Sequence, residues 1–179
     1  MALIKSIRGY TPVIGRNCYL ADNATIIGEV VIGDDCSVWF NTVIRGDVNG
    51  IFIGNTVNIQ DGRILHCLYQ KSIIRIGDRV SIGHNVIIHG AEIKENALIG
   101  MGSILLDHCI IGENSIIAAG SVVLEGTVVP PGCIYGGIPA RHLKDVEAKQ
   151  TREMIERIAE NYIKYAGWYM YPDEHGVTL

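Results

Sequence analysis

From Ile14 onward an aliphatic side chain returns every six residues, through Leu20, Ile26, Ile32, Val38 and Ile44. After a three-residue insertion the series resumes as Ile53, Ile59 and Leu65, and after a loop from Cys67 to Ile74 as Ile76, Ile82 and Ile88. One residue then drops out, and the period runs on through Ile93, Ile99, Leu105, Ile111, Ile117, Val123, Val129 and Tyr135. A period of six suits neither an amphipathic helix nor plain alternation. It suits short strands joined by tight turns, three to a triangular coil. Each aliphatic residue then stacks on another about 18 positions later, at the roughly 4.7–4.9 Å spacing of paired strands. No such coil buries its apolar face alone. The pattern therefore predicts an all-β solenoid of hexapeptide repeats, a parallel β-helix spanning residues 1–142.

The position four after each aliphatic is usually small, as at Ala24, Thr42, Thr56, Val80, Ala97, Ser103, Ser115 and Ser121, and is expected to point inward. Cys18, Cys36, Cys109 and Cys133 fall in this slot and read as small buried residues. Cys67 lies instead beside a histidine at the mouth of the loop. After Pro139 the period changes: Ile155, Ile158, Tyr162 and Tyr165 recur at helical steps with charges between them. A C-terminal α-helix over 143–166 is expected to pack on or cap the solenoid, with 167–179 as a tail.

Composition narrows the function classes. The chain has 179 residues, enough for one well-buried domain, and a net charge of −4 with no run of Lys or Arg. It carries no electrostatic footprint for nucleic acid or an anionic membrane. No apolar run reaches the length of a spanning helix or a secretory signal. Five cysteines, an odd number with no CxxC pair, suggest reduced thiols rather than disulfides or a thiolate cluster. The expected protein is soluble and cytoplasmic.

Folding the repeat places side chains. Ile44, Leu65 and Ile88 open third-face hexads of successive coils, so the residues after them, Arg45, His66 and His89, should form one outward column. Two imidazoles on adjacent coils suit two ligands of one ion, although outward histidines can equally be solvated surface residues. His84 lies around the corner on the second face, above Asp61.

The stretches Arg45-Gly46-Asp47, Asn58-Ile59-Gln60-Asp61 followed by His66, and Gly83-His84-Asn85 running on to His89 resemble the γ-class carbonic anhydrases. The resemblance reaches from Thr11 to the C-terminal helix. It implies a left-handed β-helix and a homotrimer with a metal site at each subunit interface. His66 and His89 would come from one chain and His84 from its neighbour, with zinc, or else iron or cobalt, as the ion. It also implies that Gln60 orients the attacking hydroxide. Arg45, Asp47 and Asp61 would form a charge network across the interface, Asn58 would support Gln60, and Tyr162 would stand close to the metal.

One departure stands out. The best-known active member of that family carries a loop glutamate that shuttles protons, and the loop here, Leu68-Tyr69-Gln70-Lys71-Ser72, has no carboxylate. The implied function is interconversion of carbon dioxide and bicarbonate, with weak activity. Two alternatives share the fold: a hexapeptide acetyltransferase or acyl-CoA thioesterase, and a non-catalytic trimeric metal-binding protein.

Overall fold

The computed structural model describes residues 1–147, 149 and 151–172, without the side chains of 151 and 152. It is a left-handed parallel β-helix carrying one C-terminal helix. Three aliphatic ladders run its length. On the first face Ile14, Ile32, Ile53, Ile76, Ile93, Ile111 and Val129 stand in register. On the second the ladder is Leu20, Val38, Ile59, Ile82, Ile99, Ile117 and Tyr135. On the third it is Ile26, Ile44, Leu65, Ile88, Leu105 and Val123. These are the residues of the six-period, so the register follows from the repeat. The three-residue insertion is absorbed by one long strand, Val43–Ile53, that bends around a corner.

Corners need a left-handed backbone, which Asn and Asp tolerate better than other side chains. Asn17, Asp35, Asn96 and Asn114 supply it at one corner, with φ between +53° and +57°. Inside each corner a small side chain fits, and its polar atoms are satisfied locally. Thr42 Oγ1 donates to the Gln60 carbonyl at 3.0 Å, and Ser115 Oγ to that of Pro130 at 2.8 Å. Two positions depart from the expected slot. Val57, four after Ile53, fills it, whereas Thr56, assigned to it from the sequence, is only three after Ile53 and stands in the corner itself at φ +58°. Four residues after Ile59 the slot holds Arg63, fully buried.

The helix Arg157–Met170 follows a wide π-helical turn, Thr151–Glu156. It lies along the second face rather than over an end. Ile155 and Ile158 pack on Leu98, Ile116 and Ile134, and Tyr169 reaches Tyr19 and Phe40 near the first coils. Its limits differ from the sequence expectation. Residues 143–145 belong to a strand, Ala140–Asp145, which pairs antiparallel with Cys133–Gly137 and closes the last coil. Helix continues through 167–170, because Ala166 and Tyr169 still have a face to pack on. The last part of the expected tail, 173–179, lies outside the described residues.

Candidate metal centre

The third face carries the expected column. Arg45, His66 and His89 are direct partners on three successive strands. The two imidazole rings stand 5.5 Å apart. Gly46 makes the Arg45-Gly46-Asp47 bend possible, because a Cβ there would run into the Glu29 carbonyl. Asp47 then turns back to bind both neighbours: Arg45 Nη1 donates to it at 2.6 Å and His66 Nε2 at 3.2 Å. Burial alone would raise the Asp47 carboxyl, but these contacts hold it below the usual carboxylate range. Burial and then the Arg45 charge push His66 down, so its imidazole is neutral at neutral pH, as a ligand must be.

His89 has a partner of its own. Its Nδ1 donates to Asp107 at 2.7 Å, and Asp107 accepts a second bond, 2.5 Å long, from Ser72 Oγ. Ser72 also caps the loop by accepting from the Leu68 amide at 2.9 Å. Sequence reasoning missed Asp107 and Ser72. The signal was present for Asp107, which follows His89 by 18 residues, one coil later.

On the second face His84 Nδ1 lies 2.9 Å from Asp61 Oδ2. His84, Gln60 and Tyr162 line a groove of about 370 Å³ between sheet and helix, whose other walls include Leu98, Met101, Ile116 and Ala118. Gln60 is fixed by a relay: its Nε2 donates to Asn58 Oδ1 at 3.0 Å, and Asn58 Nδ2 donates to Ser81 Oγ at 2.7 Å. The Gln60 carbonyl oxygen is left to accept. Burial pushes the Tyr162 phenol up to about 12 against the pull of Arg63, so it stays protonated and can donate.

Arg63 lies three residues past Gln60, and its charge acts on Tyr162 and Asp61. One terminal nitrogen donates to the Ile82 carbonyl, while Nε and Nη1 have no partner among the described residues. Burial lowers its pKa to about 8. Cys67 is inert by comparison: it is buried, its thiol donates to the Gly50 carbonyl, and burial pushes it up to about 11.

Each of the three histidines thus has one ring nitrogen against a carboxylate, hydrogen-bonded in His66 and His89 and in contact in His84, and a second without a protein partner among the described residues. Such carboxylate–imidazole pairs fix the ring and raise its basicity toward a metal, so the donor set fits a borderline dication such as zinc. Within one chain the three do not converge. Among the described residues they form no group with three candidate ligand atoms within 4.8 Å of one another.

Comparison with known proteins agrees with the repeat. The bacterial transferase hexapeptide (six repeats) family matches residues 11–46 and 90–125, and the hexapeptide repeat of succinyl-transferase matches 73–106. The chain is 50% identical to a carbonic anhydrase of Geobacillus kaustophilus over 93% of its own length and 91% of the relative's. It is 35% identical to the mitochondrial gamma carbonic anhydrase 2 of Arabidopsis thaliana over 87% of its length and 58% of that longer protein. A solved Bacillus cereus structure, provisionally called an acetyltransferase, superposes with a TM-score of 0.91 at 41% identity, covering 94% of this chain and 96% of that one.

Proposed function

Because the chain belongs to the γ-class carbonic anhydrase-like family of hexapeptide-repeat proteins, we propose that it is a metal-dependent hydratase interconverting carbon dioxide and bicarbonate. The observation that carries this reading is the set of three imidazoles, each beside its own carboxylate. His66 and His89 would hold the metal from one chain and His84 from a neighbouring copy in a homotrimer. Zinc is the first choice of ion, with iron or cobalt as substitutes. An exposed aliphatic stripe supports the assembly. Val43, Ile64, Ile87, Ile104 and Val122 stack beside the histidine column, with Ile64 48% and Ile87 37% exposed. Such a contiguous apolar surface marks an interaction site. The five free cysteines suit a reducing compartment, and cytoplasmic residence is part of the proposal.

When bound, the metal supplies Lewis acidity that lets water lose a proton near neutral pH. The protein does the rest. Gln60, its amide nitrogen tied to Asn58, presents a carbonyl that orients the attacking oxygen by accepting its hydrogen. Tyr162 donates to negative charge developing on the substrate. Arg45, Asp47 and Asp61 hold the histidines and pair across the interface. Loop 68–72 offers no carboxylate to carry the released proton away, so turnover is slow. An acyl-transfer activity is the weaker reading, because it leaves the three histidine–aspartate pairs without a use.

Mixing two variants tests the shared site. His84→Ala chains keep the pair and His89→Ala chains keep His84, so each homotrimer should bind metal poorly. After unfolding and co-refolding in equal amounts, about a quarter of sites should recover metal under cyclic symmetry. Metal content that stays at the level of the separate variants, with mixed trimers demonstrated, overturns the interfacial arrangement. Carbon dioxide hydration on the anaerobically purified native protein tests the activity.

A further inference from the structure

The hairpin that closes the last coil brings three chemically different ligands together. Cys133 pairs with Asp145 and Ile134 with Lys144, but Tyr135 pairs with His142, so Leu143 is an extra residue with no counterpart. This bulge has a direct consequence. In a regular strand His142 and Asp145, three residues apart, would point to opposite faces; one inserted residue puts them on the same face. Cys133 and Tyr135 share that face from the facing strand. The His142 ring meets the Tyr135 ring edge-on at 5.7 Å, which helps fix its orientation.

The resulting geometry is close to a coordination polygon. Asp145 Oδ1 lies 3.1 Å from His142 Nε2 and 3.8 Å from Cys133 Sγ, and all three candidate ligand atoms lie within 4.8 Å of one another. Zinc bonds of about 2.0–2.2 Å to N and O and about 2.3 Å to S, meeting tetrahedrally, give N···O edges of roughly 3.3 Å and S···O edges of roughly 3.6 Å. The two edges that meet at Asp145 lie within about 0.2 Å of these values, and the third is within 4.8 Å. Cys133 is buried in the mouth of the solenoid core, while His142 and Asp145 open to solvent and leave room for a fourth ligand.

We propose that Cys133, His142 and Asp145 form a second metal site, separate from the histidine column, that takes a borderline d-block dication such as zinc. Thiolate and imidazole exclude calcium and magnesium as the preferred occupants. Burial and the Asp145 charge both push the Cys133 thiol up, so ligation releases its proton to solvent as the metal–sulfur bond forms. A bound ion there ties the final hairpin to the last coil.

Cobalt titration of chelator-treated protein under anaerobic conditions tests the site. A sulfur-to-cobalt charge-transfer band in the near ultraviolet is expected, which an all-histidine site cannot produce. The band should vanish in Cys133→Ser and in His142→Ala, each losing one equivalent of metal per chain. It should persist in His89→Ala, which separates this site from the one proposed for hydration. Native protein that gives no such band, or a band that survives in folded Cys133→Ser, overturns the proposal.

Discussion

His66 and His89 sit on a face of stacked charge, each flanked by a shielded carboxylate, whereas His84 sits at the end of an apolar groove with its side chain 42% exposed and its partner Asp61 40% exposed. The same ladder supports both. What differs is the covering: the third face is organised by the coil itself and by loop 67–73, while the second face is roofed by the helix. One half is therefore built from the coil and its own insertions, without the helix. The other needs a separate element, and Gln60 and Tyr162 acquire a common cavity only because the helix lies there.

The largest expected effect falls on both halves at once. Ile99→Asp puts an unpaired carboxylate into the shared ladder, at a cost of at least about 3 kcal/mol. Loss of cooperative melting and of all bound metal should follow; a folded trimer with unchanged Tm would contradict the register. Next, Asp107→Asn and Asp61→Asn separate the halves. Each should weaken metal binding by about 10–100-fold, as loss of an orienting carboxylate does. Asp107 should cost more, because it is 17% exposed and Asp61 is 40% exposed. Equal losses in a competition titration would show that covering does not matter.

Arg63 gives a smaller effect with a definite sign. Arg63→Met keeps the volume and removes an incompletely paired buried charge, a change worth about 1–4 kcal/mol of added stability. Burial holds the folded guanidinium down to about 8, far below its ordinary value in the unfolded chain. Between those values the unfolded chain binds more protons, so the native protein gains stability as pH rises. The Tm advantage of Arg63→Met should therefore be largest below pH 8 and shrink above it. An advantage that does not fall by about pH 9.5 refutes the charge argument. Last, His108→Asn should leave metal content unchanged and stability within about 0.5 kcal/mol, since Asn tolerates the φ of +60° there.

The ladders were legible because a six-residue period leaves few alternatives, and the column of Arg45, His66 and His89 followed by counting. Thr56 was misplaced because a corner and its inward neighbour are adjacent, and a one-residue error exchanges them. Arg63 was invisible to the count: the slot rule expects a small side chain, and nothing local announces a buried guanidinium. The Cys133, His142 and Asp145 cluster could not be read either, since it depends on a bulge at Leu143 that no spacing rule contains. The strand Ala140–Asp145, rich in charge, looks helical until its partner is known.

The helix has one more consequence. A stack of coils in which each touches only its neighbours melts like a one-dimensional lattice, fraying from its ends. Here Ile155 grips Leu98, Ile116 and Ile134 in the late coils while Tyr169 grips Tyr19 and Phe40 in the early ones. The helix is thus a brace spanning the lattice, and releasing a terminal coil means releasing the brace as well. Boundary units inherit the resistance of interior ones, and the array unfolds as a single cooperative body.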